Sequence, residues 1–184
     1  KSLSKEFSGT RALDDVTLHF VRGEVHALLG ENGAGKSTLI KILTGVYGAS
    51  GGEILLEGET VRFASPLDAH KAGLGAVYQD AEIVGSFTVG QNVVLGNEPS
   101  KWMGAAEKST EARERVLELS DRYGFDLDPD VRIEQVGVGV QQRVEIVKAL
   151  FRGADLLILD EPTAVLTPQE VDELFEVLQE LTDQ

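Results

Sequence analysis

Eight consecutive residues constrain this chain more than any others. Gly30-Glu31-Asn32-Gly33-Ala34-Gly35-Lys36-Ser37 fits the pattern G-x-x-x-x-G-K-[ST], with Thr38 following. The context suits the pattern: residues 24–29, EVHALL, read as a buried strand, and Leu39, Ile40, Ile42 and Leu43 continue as a helix. Glycines let the backbone curl with its N–H groups inward and admit phosphate oxygens closely. The helix N-terminus adds partial positive charge. Lys36 supplies a full charge for the β and γ phosphates, and the Ser37 hydroxyl is placed to hold Mg²⁺. A ligand-free glycine-rich turn is the bland alternative; strand, loop, lysine, hydroxyl and helix in order weigh against it.

A second acidic site lies far along the chain. Leu156-Leu157-Ile158-Leu159 is a continuous apolar run, as expected for a strand buried on both faces. Asp160 ends it and Glu161 follows. A carboxylate at the carboxyl end of a core strand faces the ligand crevice of an open α/β sheet. Asp160 is therefore a candidate Mg²⁺ ligand, and Glu161 a candidate general base for an attacking water. The alternative is a pair of solvated loop acids.

The remaining elements follow from periodicity and turn chemistry. Residues 13–21 read as a strand turning at Arg22-Gly23 to pair antiparallel with 24–29, and GEILLEGETVRF reads as a hairpin around Glu57-Gly58. LGAVYQ at 74–79 is a short strand. A polar stretch from about 80 to 104 gives way to a helix carrying Ala112, Val116, Leu119 and Tyr123, and a second helix spans about 140–151 with Val140, Val144, Val147 and Leu150 on one face. Thr167-Pro168-Gln169-Glu170 is a capping box, followed by Val171, Leu174, Phe175, Leu178 and Leu181 on one face. The division expected is an α/β core at 1–80 and 154–184 with a helical subdomain at 81–153. A doubly wound sheet would continue past Gln184, so the chain is expected to be truncated there.

Composition excludes several classes. No run of about 18 apolar residues spans a bilayer, and no secretory leader is visible. The net charge of −14 disfavours nucleic acid and anionic lipid as partners. There are no cysteines, and His19, His26 and His70 are scattered without metal-ligand spacing.

In order and spacing, GENGAGKST at 30–38, Gln79 after a short strand, VGVGVQQRVEI at 136–146 and LLILDEPT at 156–163 resemble the ATPase domains of ABC transporters. LLGENGAGKST with EPTAVLTPQE looks most like importers of simple sugars or nucleosides, in which two such domains are often fused; this segment would be similar to the first. The resemblance implies a P-loop NTPase (RecA-like) α/β core with a small antiparallel β layer and an inserted helical subdomain. It implies ATP and Mg²⁺ as ligands, with Asn32 through Thr38 around the phosphates. It places Phe7 where an aromatic stacks on adenine. Gln79 becomes the glutamine that senses Mg²⁺ and the γ phosphate, and 80–102 part of the surface receiving a membrane subunit. The implied partners are a second ABC ATPase domain, permease subunits and, indirectly, a solute-binding protein, at the cytoplasmic face of the membrane.

Two motifs depart from the family. The signature normally reads L-S-G-G-Q; here Val136-Gly137-Val138-Gly139-Val140 stands, and Gly137 has no hydroxyl for the phosphate in an opposing subunit. Thr167 replaces a common Asp, and its capping role accounts for it. The family's switch histidine falls beyond Gln184. Alternatives are a soluble ABC ATPase acting in translation or repair, and a regulatory half-site that binds ATP with little turnover. The absence of an N-K-x-D motif disfavours a GTPase.

Overall fold

The computed structural model describes residues 1–78, 83–96 and 105–183. The chain divides into two compact units, Lys1–Leu74 and Gly75–Gln184.

The first unit opens on a hairpin. Strand β1 (Leu3–Phe7) pairs antiparallel with β2 (Thr10–Val16), Phe7 opposite Thr10 and Leu3 opposite Val16. Ser8 and Gly9 link them with φ of 43° and 88°, the two left-handed residues that a tight hairpin turn requires. Helix α1 (Lys36–Leu43) packs Leu39 and Ile42 against Leu3 and Leu13 of the hairpin. The Glu57-Gly58 hairpin is as expected: β3 (Ile54–Leu56) and β4 (Glu59–Val61) join through residues with φ of 53° and 88°. Helix α2 (Pro66–Lys71) follows, capped by the Ser65 hydroxyl.

The expected strands at 13–21 and 24–29 need correction. Arg22-Gly23 is a turn, but 24–29 carries no regular structure and is exposed, Leu29 at 89%. Strand β2 ends at Val16, and its partner is β1 rather than 24–29. A strand exists only where its N–H and C=O groups meet a neighbour. The Ser8-Gly9 turn brings β1 onto β2, and among the described residues no strand lies beside 24–29.

The second unit is mainly helical. Strand β5 (Leu74–Val77), at the junction, pairs with β6 (Leu156–Leu159). Between them come α3 (Val89–Val94), α4 (Ala105–Arg122), a 3₁₀ turn at Ile133–Gln135 and α5 (Val138–Phe151); α6 (Pro168–Thr182) closes the chain. Helix α3 falls in the stretch read as irregular. Its signal is a capping box, Thr88 bonding the Gln91 N–H and Gln91 returning to the Thr88 N–H. Asn92 is wholly buried there and fully used: its Oδ1 accepts from Val84 N at 2.7 Å, and its Nδ2 donates to Val84 O and Thr88 O, each at 3.0 Å.

The core gathers Val89 and Val93 of α3, Val116 of α4, Phe125, and Val144, Ile146 and Val147 of α5. On α6 the buried stripe runs through Leu174 and Val177, while Phe175, expected inward, is 54% exposed. One residue is 100° of helical rotation, so a stripe through Leu174, Val177, Leu178 and Leu181 turns Phe175 outward. Strand β6 is only partly buried at each position rather than covered on both faces. Among the described residues, no helix is long and apolar enough to cross a membrane. Phe125 is fully buried, so Phe125→Ala is expected to destabilise the protein by about 3–5 kcal/mol, measured by urea denaturation of the intact protein.

Candidate functional site

The glycine-rich loop is built from backbone demands. Gly33 and Gly35 have φ of 85° and 94°, a region closed to most side chains. Gly35 is the cap of α1, and a Cβ there would lie 2.6 Å from Ala12 O and 2.8 Å from Leu13 Cδ2 of β2. The loop must therefore be side-chain-free where it meets the hairpin. A turn hydrogen bond from Ala34 N to Glu31 O (3.1 Å) and one from Leu39 N to Gly35 O (2.9 Å) complete it.

Lys36 arches back over this loop. Its ammonium donates to Gly30 O at 2.7 Å and Glu31 O at 3.1 Å. Both acceptors are neutral carbonyls, and among the described residues no carboxylate pairs with this charge. Asn32, Gly33 and Ala34 are exposed, Ser37 is exposed at the first turn of α1, and Thr38 is half-buried. Phe7 ends β1, 38% exposed, with its ring edge-on to Tyr47 at 5.3 Å and Lys5 Nζ 4.9 Å from its centroid. It is a surface ring held on one side, not a core residue.

The acidic pair lies in the second unit. Asp160 extends the end of β6, its N–H donating to Val77 O of β5 at 2.9 Å. Glu161 is exposed in the left-handed region, φ 50°. For a residue with a side chain this conformation is unfavourable and is worth a functional hypothesis. A cleft of about 50 Å³ is lined by Tyr78, Val138, Gln142, Glu145, Asp160 and Glu161, among others. Gln79 lies outside the described residues.

Helix α5 begins at the altered signature. Gly137 caps it without a side-chain bond, and the helix starts at Val138, two residues before the expected start at 140. Three ties that were not evident from sequence hold α5 to the segment after Asp160. Gln142 Nε2 donates to Pro162 O at 2.6 Å, while its Oε1 is buried with no hydrogen-bond partner among the described residues. Glu170 Oε1 accepts from Gly139 N at 3.2 Å. Arg143 pairs with Glu173 at 2.5 Å. The capping box singles out Glu170, but nothing local signals its reach to Gly139.

The capping box itself is as expected, Thr167 N donating to Glu170 Oε2 at 2.8 Å. That backbone bond, then the Thr167 hydroxyl, holds the Glu170 carboxyl below its usual range, with Gly139 N–H and Arg143 adding smaller contributions. Deeper in α5, Glu145 and Lys148 form a buried pair at 3.3 Å.

Comparison with known proteins bears on these features. A family model described as ABC transporter matches residues 13–164. The chain is 47% identical over 180 residues to the guanosine import ATP-binding protein NupO of Bacillus subtilis, covering 98% of this chain and 35% of that protein. It is 47% identical over 210 residues to the glucose import ATP-binding protein TsgD13 of Haloferax volcanii, covering 100% of this chain and 38% of that protein. The chain thus spans little more than a third of the length of these curated relatives. Among solved structures, cbiO1 from Clostridium perfringens, part of the ABC transporter complex cbiONQ, aligns with a TM-score of 0.84 at 32% identity, covering 100% of this chain and 72% of that one. The α/β P-loop fold class is therefore that of the chain's structural neighbours.

Replacing Gly35 tests the loop's construction. Gly35→Ala places a methyl against Ala12 O and forces a left-handed alanine, so stability is expected to fall by at least about 1–2 kcal/mol, read from the urea midpoint.

Proposed function

The chain belongs to the ABC transporter family, and from that premise we propose that it is the ATP-binding and ATP-hydrolysing subunit, or one half of it, powering import of a small solute such as a sugar or nucleoside. The observation that carries this reading is the loop from Gly30 to Ser37. Its left-handed glycines and its lysine, which among the described residues pairs with carbonyls, suit a polyphosphate: Lys36 would trade two neutral acceptors for charged ones. The names of the relatives support the solute class without choosing between nucleoside and sugar.

The other residues take roles consistent with their chemistry. Asn32 through Thr38 line the phosphates, and Phe7 offers its exposed ring to adenine. Ser37 and Asp160 would supply a hydroxyl and a carboxylate, the hard oxygen donors that Mg²⁺ takes alongside phosphate and water, and Gln79 would be the third protein ligand. When bound, the metal would neutralise charge on the phosphates. Glu161 orients the attacking water and accepts its proton.

A second such domain and permease subunits are the proposed partners, with the solute-binding protein contacting the permease. This puts the chain at the cytoplasmic face of the membrane. Closure of the paired domains on ATP would drive the permease as a rigid-body motion. A regulatory half-site is favoured by one observation: Gly137 caps α5 with no hydroxyl to offer. Turnover measured separately at the two ATP sites of the assembled transporter separates the readings.

In the full-length protein with its membrane partners, Lys36→Ala is expected to abolish ATP binding at the site formed by the Gly30–Ser37 loop, read as a fall in nucleotide bound per assembly in equilibrium dialysis. Glu161→Gln should bind ATP and lose about 10²-fold or more of its turnover, in line with the loss of a general base. Normal turnover in Glu161→Gln would sink the assignment of that acid.

A further inference from the structure

We propose that Glu170 is a positioning residue that locks the N-terminus of α5 to the segment leaving Glu161, so that the two move as one body. The inference deepens, and rests on, the reading of the chain as a transporter ATPase.

The start of α5 needs an outside partner. The first N–H groups of a helix have no acceptor within it, and the cap, Gly137, has no side chain to supply one. The Gly139 N–H is met instead by Glu170, thirty-one residues away. The other oxygen of the same carboxylate accepts from Thr167 N at 2.8 Å and Thr167 Oγ1 at 2.9 Å. One side chain therefore closes the N-termini of two helices. Ionised, it is an acceptor only, which is what three converging donors require.

The tie is repeated along the helices. Glu173, one turn after Glu170, pairs with Arg143, one turn after Gly139. Gln142, between them on α5, donates to Pro162 O, adjacent to Glu161. The contact at Gly139 is close: a Cβ there would lie 2.6 Å from Glu170 Oε1, so a side chain at this position would push the carboxylate away. The stitching joins the helix bearing the altered signature to the loop bearing the proposed base. None of its members belongs to the Gly30–Ser37 loop, so Glu170 should govern turnover rather than ATP affinity.

The test uses the intact protein assembled with its membrane partners. Glu170→Ala is expected to raise the hydrogen-exchange rate of the Gly139 amide about tenfold and to lower kcat about tenfold, with KM for ATP within about twofold of wild type. Glu170→Gln, which offers one acceptor oxygen where Gly139 and Thr167 together present donors to two, should fall between wild type and Glu170→Ala in both. Gly139→Ala, whose methyl would crowd the carboxylate, should reproduce the fall in kcat. The proposal is overturned if the Gly139 amide exchanges at the wild-type rate in Glu170→Ala, or if KM rises in step with the fall in kcat. An unchanged amount of ATP bound per assembly in Lys36→Ala would defeat the reading of this loop as an ATP site instead, whatever the exchange of Gly139.

Discussion

A backbone oxygen of β2 stands where any side chain at position 35 would have to go. That close approach between Gly35 and Ala12 determines much of the first unit. It sets the point where α1 begins, and from there the helical period carries Leu39 and Ile42 onto Leu3 and Leu13. It also sets where the loop can bulge, since the chain must turn left-handed at both Gly33 and Gly35 before the helix starts. Lys36, first in the helix, then folds back on carbonyls of the loop's opening residues. A loop suited to anions is thus fastened to the molecule by a contact that involves no charge.

In the second unit the organising element is α5. Val144, Ile146 and Val147 are fully buried, so its flanks are committed to packing. Its first turns are committed to polar ties with Pro162, Glu170 and Glu173. Even the Glu145–Lys148 pair is sequestered with it. A buried pair of this kind contributes little net stability, because desolvation offsets much of the attraction, yet losing either partner strands a charge. The helix is therefore expensive to re-seat and suited to moving as a rigid piece.

What could be read from the sequence was what is encoded locally. The glycine-rich turn at Gly33–Gly35, the Glu57-Gly58 turn and the Thr167–Glu170 box each depend on residues a few positions apart. Their backbone demands can be read from glycines, hydroxyls and carboxylates directly. The α/β P-loop class followed from the order of such motifs. Pairing was harder. Residues 24–29 have the apolar character of a strand, but strand formation depends on a neighbour, and the Ser8-Gly9 turn directs β2 to β1 instead. Phe175 was misassigned because an inclusive reading of the α6 stripe took in a position one residue off the buried line. Helix α3 was missed because its six residues are too few to show a period, although its Thr88–Gln91 box was in view. The reach of Glu170 to Gly139 could not be inferred, because it depends on two helices meeting rather than on either sequence.

The two fasteners of the second unit differ in kind. Asn92 holds the 84–88 bend with an uncharged amide, sealed from water and satisfied at both ends. The α5–α6 seam relies on carboxylates near solvent. Ionic strength and acidity act on charges and leave neutral buried amides almost untouched. The bend should keep its shape across buffers in which the seam slackens, giving the unit one joint that responds to its surroundings and one that does not.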